Sequence, residues 1–192
     1  MKHRCEWANA NDREREYHDT HWGVPVHDDR ILFEFLILES AQAGLSWDTI
    51  LKRRASYREA YDDFDFNKIA TYDDAKIEEL MQDGGIIRNR RKILSSIQNA
   101  KAFIDIRNEC GSFDTYIWAF VNGRPIQNSF TSIREIPAKT ELSEKISRDM
   151  KKRGFSFVGP TIMYAYMQSV GIVNDHETGC FRYEECKRLA DK

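Results

Sequence analysis

A mainly α-helical fold is predicted by three features of the chain. Apolar residues recur at offsets of three, four and seven in several segments, alternating strand patterns are scarce, and the four prolines fall where helices begin or connections run. With 192 residues, 41% of them hydrophobic, the chain is long enough to bury a core of its own. No repeat, low-complexity tract or Ser/Gly-rich linker divides it, so residues 1–192 are expected to form a single unit.

The elements follow in order. Leu32, Phe35, Leu36 and Glu39 share one face, which predicts a helix over about 29–41 whose last buried-face position is a carboxylate. Ile93, Ile97, Ala100 and Ile104 predict a second, longer helix from about Ile87 to Arg107, with Lys101 and the arginines on its wet side. Ile126 to Pro137 reads as a long irregular connection. Leu142 to Lys152 is helical in pattern, Arg153 to Gly159 holds two glycines, and Pro160 suits the first position of another helix. That last helix carries an apolar stripe of Met163, Tyr166, Met167 and Val170, with Gly171 as its stop. The order helix, tight hairpin, helix results.

A formal net charge of −2 lacks the basic excess common in nucleic-acid binders, so any DNA contact has to come from local clusters. No apolar run approaches the ~20 residues of a membrane span. The expectation is a soluble, untargeted, cytoplasmic chain.

Four cysteines, Cys5, Cys110, Cys180 and Cys186, without a secretory leader favour metal binding or burial over a disulfide scaffold. Cys5 with His18 near one end, and His176 with Cys180 near the other, make a Cys₂His₂ set. Zinc would close such a set into a tetrahedron with no position for an activated water, so its role would be to join the chain ends. His21 and Cys186 are rival ligands, and isolated cysteines and histidines are more often simply packed.

The segment Lys151-Lys152-Arg153-Gly154-Phe155-Ser156-Phe157-Val158-Gly159-Pro160-Thr161 places backbone amides at a helix start beside three cations, an arrangement that can grip a phosphate without reading sequence. Solvated lysines on an ordinary helical hairpin are the plain alternative. Lys52-Arg53-Arg54 and Arg88 through Lys92 are further clusters that extend such a footprint if they face it. Trp7, Tyr17, Trp22 and Trp47 lie in sequence around the helix that ends in Glu39. Aromatics with one carboxylate can hold an extruded nucleobase, although each tryptophan alone is more often a core anchor.

Taken together these residues resemble the 3-methyladenine DNA glycosylase I family, nearly end to end. The resemblance is carried by Arg4-Cys5-Glu6-Trp7, Tyr17-His18-Asp19, Trp22-Gly23-Val24-Pro25, Leu38-Glu39, Gln42 through Trp47, Lys151 through Gly159, Asn174-Asp175-His176 and Gly179-Cys180. It implies a helix-hairpin-helix DNA glycosylase fold whose terminal segments, about 1–28 and 171–192, are joined by one structural zinc ion on Cys5, His18, His176 and Cys180. The body would be 29–170, with the helix-hairpin-helix at about 142–170. It implies that Glu39 and Tyr17 hydrogen-bond the flipped base, that Trp47 stacks on it, and that Trp7 and Trp22 shape the walls. Gly44 and Leu45 would form a wedge in the duplex, and Lys151, Lys152, Arg153, Gly154, Phe157, Gly159 and Thr161 would meet DNA. Glu14 stands where some relatives place a pocket aromatic.

The resemblance further implies a monomer that acts on alkylated double-stranded DNA and releases 3-methyladenine. Methylation makes the base a cationic leaving group, so the protein has to add extrusion, a tight pocket and stabilisation of the sugar cation. Glu39 is expected to be the main functional carboxylate and Asp175 mainly structural. No lysine sits where a Schiff-base nucleophile would be needed, so the reaction is expected to stop at the abasic site. The rival readings are a damaged-DNA binding module without turnover, which the retained Glu39, Tyr17 and Trp47 disfavour, and a hydrolytic zinc enzyme, which four protein ligands disfavour.

Overall fold

Short polar side chains start most of the helices by accepting a backbone N–H of the first turn: Asn11, Asp28, Ser46, Asp73, Asn89 and Thr140 all do so. The computed structural model describes residues 2–190. Its helices are α1 (Asp12–Thr20), α2 (Asp29–Gln42), α3 (Trp47–Leu51), α4 (Arg54–Ala60), α5 (Phe66–Ile69), α6 (Asp74–Gln82), α7 (Arg90–Cys110), α8 (Phe113–Ala119), α9 (Glu141–Lys152), α10 (Pro160–Ser169) and α11 (Phe181–Leu189). Two-residue strands, β1 (Ile126–Gln127) and β2 (Val173–Asn174), pair in parallel, Ile126 opposite Val173. The mainly α expectation holds.

α2 is the central element. Its residues 32–41 are buried without interruption, so it packs on all sides and not on the single stripe that the periodicity suggested. α3, α7, α8 and α10 surround it. Phe33 meets Phe103 of α7 edge-on at 5.0 Å, and Phe103 stacks on Phe113 of α8 at 4.2 Å. α7 begins at Arg90, three residues later than expected, because the Asn89 side chain caps the Lys92 amide. The connection from Ile126 to Pro137 is largely irregular, as read, apart from β1 and a short 3₁₀ turn at Ile133–Glu135.

The hairpin between α9 and α10 is held from several directions. Ser147 donates to the Val158 carbonyl at 2.6 Å, and the Ser40 hydroxyl is shared between Leu36 and Phe157 carbonyls. Phe157 adopts φ 55°, a left-handed conformation that a side chain disfavours. Gly171 follows α10 with φ 71°, and a Cβ there would lie 2.4 Å from the backbone of Val24 and Pro25. Only glycine lets the chain cross here, where Gly23 and Val26 also donate to Gln168 and Val170 carbonyls. The terminal segments are thereby brought together, Phe181 N–H bonding the His3 carbonyl at 3.0 Å. The expected boundaries at 1 and 192 involve Met1, Asp191 and Lys192, which lie outside the described residues.

Candidate active site

The end of α2 delivers Glu39 into a cavity of about 370 Å³ lined by Trp7, Glu14, Tyr17, Trp22, Gln42, Trp47, Ile133, Ile136, Ala165, Gln168 and Ser169. The volume is within the range of small-ligand sites. Glu39 is 3% exposed, and its Oε1 accepts from the Ser169 hydroxyl. Burial overrides that bond and pushes the carboxyl up to about 8. Tyr17 and Trp47 pack at 5.3 Å, and Trp7 meets Trp22 edge-on at 5.1 Å. The Trp47 indole N–H is buried without a hydrogen-bond partner, and the Tyr17 hydroxyl, beside Ser169, makes no hydrogen bond of normal length. Buried polar atoms are rarely left unpaired, so two of them on the walls of one cavity point to a polar ligand. Burial and Glu39 together hold the Tyr17 phenol well above its usual range, keeping it a donor.

Glu14 lines the same cavity, half-buried, with Asn11 Nδ2 donating to it at 2.9 Å. Burial, then Asp48, raise its pKa. Asp175 lies outside the cavity lining, 1% exposed and already saturated. Asn128 donates to Oδ1 at 2.6 Å, while Tyr164 and Gln168 donate to Oδ2 at 2.6 and 2.8 Å.

Behind Trp7 and Trp22 the ligand atoms of Cys5, His18, His176 and Cys180 all lie within 4.8 Å of one another, every residue buried. Cys180 Sγ is 3.4 Å from His18 Nε2 and 3.7 Å from His176 Nδ1, and Cys5 Sγ is 3.5 Å from His176 Nδ1. A tetrahedral ion with ordinary Zn–S and Zn–N bond lengths would separate such atoms by about 3.6 Å. The outer nitrogens are engaged too, His18 Nδ1 with Asp19 at 2.8 Å and His176 Nε2 with the Trp22 carbonyl at 3.0 Å. Arg4 in turn holds Asp19 at 2.8 Å. The donor set and its supporting bonds fit a metal ion. His21 is exposed and stacks on Tyr17, and Cys186 is buried on α11. Neither belongs to the cluster found among the described residues.

On the rim of the cavity, Ala43 to Ser46 join α2 to α3. Gly44 takes φ 79°, and Leu45 is 40% exposed, so it is not the core leucine that its chemistry alone would suggest. Lys151, Lys152, Gly154 and Thr161 are exposed and Phe157 is half-buried. Gly159 starts α10 with no side-chain cap, leaving first-turn amides open.

A family model of methyladenine glycosylases matches residues 7–183. DNA-3-methyladenine glycosylase of Haemophilus influenzae is 46% identical over 181 residues, covering 94% of this chain and 97% of that protein. The chain belongs to the methyladenine glycosylase family. Among solved structures, a crystal structure of 3-methyladenine DNA glycosylase I superposes with a TM-score of 0.91 at 45% identity, covering 93% of this chain and 98% of that one. A variant of a 3-methyladenine DNA glycosylase I in complex with 3-methyladenine matches with a TM-score of 0.90 at 31% identity over 93% and 96% of the two chains.

Against this family background, the structure brings Trp7, Tyr17, Trp22, Glu39 and Trp47 around one cavity. It does not leave all the cations free. Arg153 is tied to Glu109 at 2.6 Å and Asp149 at 2.9 Å and lies over Tyr116, so it braces the hairpin where an open cation was expected. Arg54 of the first basic cluster pairs with buried Glu34 at 2.7 Å, and Lys52, half-exposed, pairs at the surface with Asp48 at 2.6 Å. Lys92 is buried and Arg90 pairs with Glu78. Sequence reasoning missed Ser169, Gln168, Ile133 and Ile136. None carries a local signal, since each reaches the cavity only through the fold.

Proposed function

We propose that this chain excises 3-methyladenine from alkylated double-stranded DNA by hydrolysing the N-glycosidic bond, leaving an abasic site. Glu39 carries the reading: it is a buried carboxyl at the bottom of an aromatic cavity whose Tyr17 hydroxyl makes no hydrogen bond of normal length. A base swung out of the duplex would stack against Trp47 and accept from the Tyr17 hydroxyl. Its exocyclic amine would donate to Glu39. Trp7 and Trp22 wall the cavity, Leu45 and Gly44 occupy the space the base leaves, and Lys151, Lys152 and the open amides near Gly159 and Thr161 hold phosphates.

Selectivity follows from the carboxyl's protonation. With its pKa near 8, Glu39 is mostly neutral in the empty cavity at pH 7, and a neutral base gives it no reason to ionise. A cationic methylated base stabilises the carboxylate and is bound in preference. The cation also leaves readily, so the remaining work is to orient it and to stabilise the positive sugar while water adds. No lysine lines the cavity among the described residues, which supports hydrolysis without a Schiff base.

One structural zinc per chain on Cys5, His18, His176 and Cys180 fits the donor set. It would fix the N-terminal segment, which supplies Trp7, Tyr17 and Trp22, to the C-terminal one. The protein would act as a monomer.

Incubation with methylated duplex DNA followed by chromatography of released bases tests the reading. 3-Methyladenine is expected as the main product, falling at least 100-fold in Glu39→Gln. Release of no base, or unchanged release by that variant, overturns it.

A further inference from the structure

α7 holds both the α2–α3 connection and the α9–α10 hairpin through buried polar side chains. In its first turn, Lys92 donates to the carbonyls of Ala41 at 2.8 Å and Ala43 at 2.7 Å. Seven residues on, Asn99 is fully buried. It donates to the Ser156 carbonyl at 3.0 Å and accepts from the Ser156 amide at 2.8 Å. Seven residues make two helical turns, so the two side chains leave one face of α7 about 10 Å apart along its axis.

The placement of Lys92 breaks two local rules. A cation in the first turn opposes its own helix dipole, and no acidic residue in that turn offsets it. The residue is also only 9% exposed and makes no ion pair among the described residues. What compensates is the far end of α2, where the last carbonyls have no helical partner and the dipole is negative. Ala43 is the residue from which the chain turns out of α2, one before Gly44 and two before Leu45. An apolar residue would fill the space, but it would leave the direction of that exit unspecified.

We propose that Lys92 is a positioning residue for base extrusion: by clamping the Ala41 and Ala43 carbonyls to α7, it sets the direction in which Leu45 projects, in register with the hairpin that Asn99 fixes. The inference rests on Leu45 being the wedge. Lys92 touches neither the base nor the reacting bond, so its loss should be felt in extrusion from duplex DNA and not in the cavity.

The test compares wild type, Leu45→Ala, Lys92→Met, Lys92→Arg and the Leu45→Ala/Lys92→Met double variant. Single-turnover release of 3-methyladenine from methylated duplex DNA is one readout, and binding of free 3-methyladenine, followed by tryptophan fluorescence, is the other. Leu45→Ala and Lys92→Met are each expected to slow release at least tenfold while free-base affinity stays within twofold. The double variant should be within twofold of Leu45→Ala, and Lys92→Arg should recover part of the rate. If Leu45→Ala is slow but Lys92→Met is normal, or if the losses multiply, the Lys92 proposal fails alone. Loss of free-base binding in Lys92→Met assigns the residue to cavity support and equally overturns it. If Leu45→Ala is as fast as wild type, the wedge reading falls and takes this role with it.

Discussion

The hydroxyl of Ser169 donates to Oε1 of Glu39, joining the last turn of α10 to the last turn of α2 at the bottom of the cavity. That single bond does not balance the burial of the carboxyl, which is displaced from 4.5 to about 8. The folded state therefore binds this proton more tightly than the unfolded chain does. Whatever stability the group contributes is present at acid pH and is lost as pH climbs from 4.5 through about 8. Glutamine keeps the acceptor for Ser169 and does not ionise. Glu39→Gln is expected to melt within about 3 °C of wild type at pH 5 and more than about 8 °C higher at pH 9, by thermal denaturation at both pH values. Equal or lower melting at pH 9 would show that the carboxyl is not under strain.

The same group should govern the pH dependence of turnover. If the ionised carboxylate is the form that holds the cationic base, kcat/KM on methylated duplex rises with pH and levels off above about 8, because kcat/KM reports the free enzyme. The rise should be missing in Glu39→Gln. A wild-type profile that is flat between pH 6 and 9 rejects the role given to this proton.

Trp7 lies edge-on to His18 at 5.4 Å and Trp22 to His176 at 4.6 Å, so the cavity walls rest on the proposed metal ligands. Metal analysis is expected to find about one zinc per chain. Removing it with a chelator, or substituting Cys180→Ser, should lower the melting temperature by more than about 10 °C, since the clip closes nearly the whole chain into one loop. Tryptophan emission should shift at the same time. A chain that keeps its melting temperature and emission after complete metal loss would refute a clip.

Asp175 accepts three hydrogen bonds and does not line the cavity that holds Glu39. Asparagine there turns one acceptor into a donor facing a donor, which costs about 2–3 kcal/mol. Asp175→Asn should unfold correspondingly earlier in urea yet release base within tenfold of wild type where it is folded. Full stability combined with abolished turnover would make Asp175 the functional carboxylate instead.

The parts of this architecture that were legible in the sequence share a local cause. Pro160, the paired glycines around the hairpin and the stripe from Met163 to Val170 announce α9, the turn and α10 because turn and helix chemistry is written within a few neighbouring residues. The metal cluster and the cavity residues became legible as sets only through family resemblance, since Cys5 and His176 meet across 171 positions. Ser169 and Ile133 were invisible for that reason, being ordinary residues until tertiary packing sets them beside Glu39 and Trp47. Charge runs misled most. Lys52, Arg53 and Arg54 look like one basic patch, but a sequence does not show that Glu34, 20 positions away, waits in the core for Arg54.

That ambiguity can be resolved by salt. Lys151 and Lys152 are exposed on the hairpin, whereas Arg54 and Arg58 both bond Glu34, which is 2% exposed. A cation that neutralises a phosphate adds about 0.9 to the magnitude of the slope of log K against log salt concentration, and a cation spent on a buried carboxylate adds nothing. Lys151→Ala/Lys152→Ala should therefore flatten the slope for undamaged duplex by about 2 while leaving the melting temperature nearly unchanged. Arg54→Ala should do the reverse. It leaves the slope intact but strips a buried carboxylate of a partner, at about 3 kcal/mol of stability, moderated by the bond Arg58 retains. Fluorescence anisotropy from 50 to 200 mM salt, beside urea denaturation of the same variants, separates the two roles. A flattened slope in Arg54→Ala with stability unchanged would return the α4 cations to the DNA-binding face.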